Sequence, residues 1–158
     1  FEVLRRLRAQ SSVPVLMLQG ELDPSTPAGA RALARLAAAR VIWLTTVTPA
    51  GQPQSSPVWF LFADGEFLIY SLPDTARTRN LAANPRVSLH LDGNGRGGDI
   101  LSIEGRARID PEAPPSSAVA AYQERYTEWI ARNGWTPESF ARDYPIAVRI
   151  RPTRVRAW

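Results

Sequence analysis

From Val41 to Ile109 the sequence is a succession of short β-branched and aromatic segments, each closed by a turn signal, and this limits the chain to a mainly-β fold. Val41-Ile42-Trp43-Leu44-Thr45-Thr46-Val47 predicts a first strand, and Pro49-Ala50-Gly51-Gln52-Pro53 a turn. Ser56 to Phe62 predicts a second strand, Ala63-Asp64-Gly65-Glu66 a turn and Phe67 to Leu72 a third, so two hairpins in tandem form a meander. Asp74 is positioned to cap a helix running to Ala83, which Asn84-Pro85 ends. Val87 to Asp92 and Ile100 to Ile109 predict a fourth and fifth strand across a Gly93–Gly98 loop. Ile146 to Arg151 and Thr153 to Trp158 read as extended segments around Pro152. About six strands with few helices point to a closed or partly closed antiparallel barrel.

The helices lie outside this run. Ala28 to Arg40 is Ala-, Leu- and Arg-rich after a Ser25-Thr26-Pro27 start. Ser116 to Arg132 spaces Val119, Tyr122, Tyr126, Trp129 and Ile130 as one helical face, and Thr136-Pro137-Glu138 opens a short helix. Residues 1–16 precede the only methionine, Met17, and are expected to be an extension outside the fold, with the barrel domain spanning 17–158. Trp43, Trp59, Phe60, Leu61 and Phe62 put bulky apolar groups on both faces of adjacent strands. That is more than one small barrel can bury, and it predicts a homodimer.

Composition removes several function classes. No cysteine is present, so disulfides, thiolate nucleophiles and sulfur-ligated metals are out, and the expected location is the cytoplasm. With a single histidine, no metal site is expected. No window approaches the roughly 18 consecutive apolar residues of a spanning helix, so no membrane partner is expected. The net charge is +4 and all 19 basic residues are arginine, whose planar fork suits phosphate and carboxylate. They are scattered rather than clustered, which argues against nucleic acid.

Three motifs resemble chemistry without its required context. Val15 to Asp23 resembles the acid-bearing strand and turn of an α/β-hydrolase, but no G-x-S-x-G elbow follows. Gly93-Asn94-Gly95-Arg96-Gly97-Gly98 precedes a strand, not the helix a dinucleotide loop requires. His90 falls on the strand face opposite Val87, Leu89 and Leu91, where an interface or surface role suits it better than catalysis.

The segment Tyr70-Ser71-Leu72-Pro73-Asp74-Thr75-Ala76-Arg77-Thr78-Arg79-Asn80-Leu81 is different. A strand ends in a hydroxyl, a Pro-Asp turn follows, and a helix opens with Thr75, Arg77 and Arg79 in its first turns. Open backbone amides, the helix dipole and arginine forks together form an anion site. An ordinary capped surface helix is the other reading of the same residues.

This segment, with Gly51 to Phe60 upstream and Asn84-Pro85-Arg86-Val87 and Glu104-Gly105-Arg106-Ala107 downstream, resembles the pyridoxamine-phosphate-oxidase-like split β-barrel superfamily. Within it the chain is most similar to an actinobacterial branch of deazaflavin (coenzyme F-420)-dependent reductases. That branch usually has lysine where this chain has Arg77. The resemblance implies a six-stranded split barrel that dimerises around two cofactor sites. It implies a cofactor phosphate near Ser71, Thr75 and Arg77, with Arg79 and Asn80 close by and Tyr70 on the adjoining strand. It also implies a ring along Ser56, Pro57, Val58 and Trp59, and Arg154 and Trp158 reaching the partner's site. The implied activity is an oxidoreductase passing hydride to a small unsaturated or nitro-type acceptor, with the proton from solvent, Tyr70 or His90. FMN is the alternative cofactor, and a non-catalytic tetrapyrrole carrier the alternative role.

Overall fold

The computed structural model describes residues 22–158, so the expected 1–16 extension, the boundary at Met17 and nearly all of the hydrolase-like Val15–Asp23 segment lie outside the described residues. The elements in chain order are α1 (Pro27–Ala38), β1 (Val41–Val47), β2 (Pro53–Trp59), β3 (Leu61–Ala63), β4 (Glu66–Ser71), α2 (Ala76–Ala83), β5 (Arg86–His90), β6 (Leu101–Ile109), a 3-10 turn (Ser116–Ala118), α3 (Ala120–Arg132), α4 (Pro137–Asp143) and β7 (Ile146–Ala157). The strands form one antiparallel sheet in the order β2-β1-β5-β6-β7-β4-β3.

That order curls the sheet. β2 and β3 occupy opposite edges yet are joined by a single residue, Phe60, so the edges must approach one another. The result is a curled half-barrel with four flanking helices, seven-stranded where six strands were expected. The expected second strand is two strands, so both expected hairpins form, β1–β2 and β3–β4, but not as one continuous meander: the β3–β4 hairpin pairs with β7, not with β2. Both polar groups of the Phe60 backbone are supplied by α3. The Tyr126 hydroxyl accepts from the Phe60 amide at 2.8 Å and lies 2.7 Å from its carbonyl, which also accepts from Arg125 Nε at 3.1 Å. Arg125 donates as well to the carbonyls of Leu36, Ala37 and Ala39, closing the C-terminal end of α1.

Alternation places Ile42, Leu44 and Thr46 of β1 inside the barrel, facing Val58, Ser56 and Gln54 of β2. Phe67 and Ile69 of β4 join this core, together with Phe60, Leu89, Leu101, Ile103, Val148 and Ile150. The other face of β4, Leu68 and Tyr70, packs beneath α3 and α4 in a second, largely aromatic core with Tyr122, Tyr126, Ile130 and Phe140. Trp59 and Leu61 belong to this second core and Phe60 to the first. The apolar second face at Trp59 and Leu61 is thus covered within the chain, whereas Trp43 lies outside both cores.

The expected break at Pro152 is instead a bulge. β7 runs unbroken from Ile146 to Ala157, and the register against β6 slips between Glu104 and Gly105 so that Gly105 faces Pro152. A Cβ on Gly105 would lie 2.8 Å from the Ile150 side chain and 2.9 Å from the Arg151 carbonyl, so only glycine fits. The expected long helix from Ser116 begins as the 3-10 turn and becomes α-helical at Ala120. No helix among the described residues is long and apolar enough to cross a membrane.

Candidate functional site

The site forms where the barrel is split, at the end of the sheet plugged by α2. Thr75, not the expected Asp74, caps this helix: its hydroxyl accepts from the Thr78 amide at 3.1 Å. Asp74 takes a left-handed backbone (φ 56°) in the turn, which carries it out of the capping position. Ser56 on β2 and Ser71 on β4 both point inward, one on each side of the split. Arg77 spans the gap between them, with Nη2 donating to Ser56 Oγ at 2.8 Å and Nη1 donating to Ser71 Oγ at 3.1 Å.

The electrostatics of Arg77 are unusual. Its guanidinium is partly buried, its Nε has no partner, and it takes part in none of the ion pairs among the described residues. Burial lowers its pKa from the ordinary arginine value, and no carboxylate offsets that cost. Two hydroxyls alone hold a half-desolvated cation, which is the arrangement an incoming anion would complete. The Ala76 and Arg77 amides sit at the open end of α2, where no preceding carbonyl of the helix can reach them.

Arg77 and Thr75 line two cavities, one on each side. A polar groove of about 490 Å³ is bounded by Thr46, Gln54, Ser55, Ser56, Thr75, Ala76 and Arg77. A cavity of about 370 Å³ is bounded by Pro57, Val58, Trp59, Tyr70, Ser71, Leu72, Thr75, Arg77, Tyr122, Asn133, Trp135, Phe140 and Tyr144. The residues singled out from sequence therefore divide. Ser56, Thr75 and Arg77 face the groove, whereas Pro57, Val58, Trp59, Tyr70 and Ser71 face the aromatic cavity, which Thr75 and Arg77 also line. Asn80 lines neither. It is buried, and its amide donates to Thr46 Oγ1 at 3.0 Å and Gln54 Oε1 at 2.9 Å, bracing α2 against β1 and β2.

Three further expected residues are not brought together with the rest. Arg79 is exposed and folds back to donate to the Asp74 carbonyl. Arg154 and Trp158 lie toward the far end of β7, whose first residue, Ile146, pairs with Ser71 beside the site. Eleven steps of strand separate Ile146 from Ala157, roughly 35 Å along the chain. Within one chain, neither residue reaches either cavity. Neither expected proton donor is free at the site either. The Tyr70 hydroxyl donates to the Pro114 carbonyl at 2.7 Å and burial raises its pKa, while His90 stacks on Trp43 at 6.3 Å on the outer face of the sheet.

The sequence reading missed Thr46, Gln54 and Ser55 in the groove and Asn133, Trp135, Phe140 and Tyr144 in the cavity. The first three sit on strands with nothing but polarity to mark them. The others belong to α4 and its flanks, whose packing against β4 is tertiary. Tyr122 was legible as a helix-face residue, though not as part of a cavity wall.

A family model described as pyridoxamine 5'-phosphate oxidase matches residues 29–158. The chain belongs to that family. No curated protein matches the chain in sequence. Among solved structures, a conserved hypothetical protein from Mycobacterium tuberculosis is 26% identical, with a TM-score of 0.66 and 84% of each chain covered. An F-420 reductase is 23% identical with a TM-score of 0.54, over 73% of this chain and 88% of that one. The heme storage protein HutZ from Vibrio cholerae is 16% identical with a TM-score of 0.58, over 81% and 92%. The last two are similar in fold alone. The family fold therefore houses redox and heme-binding proteins alike, and the choice for this chain rests on its own residues.

Proposed function

We propose that this protein is an oxidoreductase that binds a deazaflavin, coenzyme F-420, by its phosphate and passes hydride to a small unsaturated or nitro-type acceptor. The observation that carries this reading is Arg77, a half-buried cation with an unpartnered Nε and no carboxylate beside it. Its guanidinium, the Thr75 and Ser56 hydroxyls and the first amides of α2 are a donor set matched to a phosphate. Bound there, the reduced deazaflavin supplies the hydride. The chain supplies position and dryness: Arg77 and Thr75 fix the phosphate, β2 from Ser56 to Trp59 offers a rigid edge for the ring, and the aromatic core beneath α3 and α4 excludes water. Hydride transfer itself requires no acid–base pair, and with the Tyr70 hydroxyl committed to Pro114 the proton is assigned to solvent.

F-420 is favoured over FMN by charge. Across the outer face of the sheet Arg86 pairs in register with Arg106, and Arg106 with Arg151, which is itself paired with Glu66; the positive charge left at Arg86 and Arg106 suits the acidic tail of a deazaflavin better than FMN alone. A homodimer is part of the proposal, because Arg154 and Trp158 could meet a cofactor only in another copy. Titration of the protein with F-420, FMN and heme, followed by ligand fluorescence or absorbance, tests the reading. F-420 is expected to bind at least tenfold tighter than FMN. The reverse order would make the protein an FMN enzyme, and heme binding with neither flavin would make it a carrier.

A further inference from the structure

We propose that Asn94 is a self-modifying position: in the folded chain the Gly95 backbone nitrogen attacks its side-chain amide, and the residue becomes aspartate or isoaspartate. The position is independent of the proposed function, because neither Asn94 nor Gly95 lines either cavity.

Glycine after asparagine leaves the attacking nitrogen unshielded, since no Cβ guards its approach. The Gly95 nitrogen gives its proton to a solvent base and bonds to Asn94 Cγ. The Cγ–Nδ2 bond then breaks, and Nδ2 takes a proton from solvent and leaves as ammonia. Water opens the resulting five-membered imide at either carbonyl, giving aspartate or isoaspartate. Water is the one co-reactant, and nothing is oxidised or reduced.

The chain has two Asn-Gly pairs, Asn94-Gly95 and Asn133-Gly134, and both are exposed, so exposure does not separate them. Hydrogen bonding does. In the loop between β5 and β6 the Gly95 amide has no hydrogen-bond partner among the described residues. Asn94 Oδ1 accepts from the Arg96 amide at 2.8 Å and from the Gly98 amide at 3.1 Å. Those donors sit on the oxygen that gains negative charge as Gly95 attacks, at the distances found in an oxyanion hole. The Asn94 amide donates to the Gly98 carbonyl at 3.0 Å, and Gly95 and Gly97 take φ of 76° and 79°, which holds the loop in this shape.

At the end of α3 the same pair of residues is arranged against the reaction. The Gly134 amide donates to the Ala131 carbonyl at 3.0 Å, and Asn133 Nδ2 donates to the Trp129 carbonyl at 2.8 Å. Asn133 Oδ1 accepts no hydrogen bond among the described residues. Attack there must first break two bonds and meets no donor on the oxygen. The other asparagines are poorer still: Asn84 precedes Pro85, which has no amide proton to lose, and Asn80 precedes the buried Leu81. The product places a new carboxylate between Asp92 and Asp99, in the loop that Arg35 ties to α1.

The test incubates the purified full chain at mildly alkaline pH, folded in buffer or unfolded in guanidinium chloride, followed by a brief tryptic digest and mass spectrometry. Cleavage after arginine gives peptides 87–96 and 133–142, each with a single asparagine, so the two positions are read separately. In the folded chain Asn94 is expected to deamidate faster than Asn133 by about tenfold or more. In guanidinium chloride, where neither set of hydrogen bonds survives, the two rates should come within about threefold. A folded-state ratio below that, or a ratio that persists undiminished in guanidinium chloride, would overturn the proposal. The first result would mean that the loop does not promote the attack, and the second that local sequence rather than the fold sets the rate.

Discussion

Replacing Arg125 with alanine removes the side chain that ties α1, α3 and the split between β2 and β3 together. Its guanidinium donates to four carbonyls, those of Leu36, Ala37, Ala39 and Phe60, and lies over the Phe60 and Tyr126 rings at 5.0 and 5.6 Å. Water can replace it at the exposed Ala37 carbonyl, and the Tyr126 hydroxyl remains beside the Phe60 carbonyl. The loss therefore concentrates at Leu36 and Ala39. One or two charge-assisted bonds at part-buried carbonyls contribute about 2–3 kcal/mol in total, and the contacts with the rings about 0.5–1 kcal/mol more. An expected loss of about 3 kcal/mol lowers the melting temperature of a domain this size by roughly 10 °C. Urea unfolding followed by tryptophan fluorescence measures it, with Arg132→Ala as control, because the exposed Arg132–Glu128 pair should contribute under about 0.5 kcal/mol. Arg125→Lys should fall between, since a point charge cannot serve separated carbonyls at once. A loss below about 1 kcal/mol for Arg125→Ala would refute the reasoning that these bonds hold the split closed.

Tyr122→Phe should raise the urea midpoint. The hydroxyl is fully buried, has no partner among the described residues, and burial pushes its pKa up, so its removal is worth about 1 kcal/mol. A loss of stability would instead reveal a buried partner. Asp110 has its pKa lowered, first by the hydrogen bond from Arg149 Nε at 2.6 Å and also by Arg108 and the Glu112 amide. Its stabilising contribution is thus present above the unfolded value of 3.8 and lost as pH falls through the lowered folded value. Asp110→Asn should be less stable than wild type at neutral pH, with the gap closing below about pH 4 in acid titrations of stability. A gap unchanged down to about pH 2 would show that the Arg149 pair does not set the acid limb.

Much of this fold was legible because its signals are local. β1 and β5 alternate cleanly, the Pro-Asp turn after Ser71 announces α2, and the glycine loop before β6 is followed by a strand as read. The split at Phe60 was not, since no glycine or proline marks it. The strand breaks there because its two halves join opposite edges of the sheet and two α3 side chains take the backbone groups. Ser71, Thr75 and Arg77 stand out in the sequence because hydroxyls, a turn and a helix start fall within seven residues, and the fold brings the three together. Asn80 was given to the ligand because it sits three residues beyond Arg77, yet the barrel interior takes its amide. The aromatic cavity exists only once α3 and α4 fold over β4, and no spacing within one element encodes that.

The central claim is that Arg77 is an anion-binding residue rather than a structural bridge, and affinity for F-420 in single-arginine variants tests it most directly. Arg31, exposed on α1 and outside both cavities, is the control for net charge. Arg77→Ala should weaken binding roughly 10- to 150-fold, the equivalent of about 1.5–3 kcal/mol for one charge-assisted contact. Arg77→Lys should keep most of the affinity, because a phosphate accepts a point charge, and Arg31→Ala should leave it within about twofold. Without ligand, Arg77→Ala should not melt lower than wild type, since the cation it removes is half-buried and uncompensated. Equal weakening by Arg77→Ala and Arg31→Ala, or unchanged F-420 affinity together with a lower melting temperature for Arg77→Ala, would contradict the claim and leave Arg77 as a strut between Ser56 and Ser71.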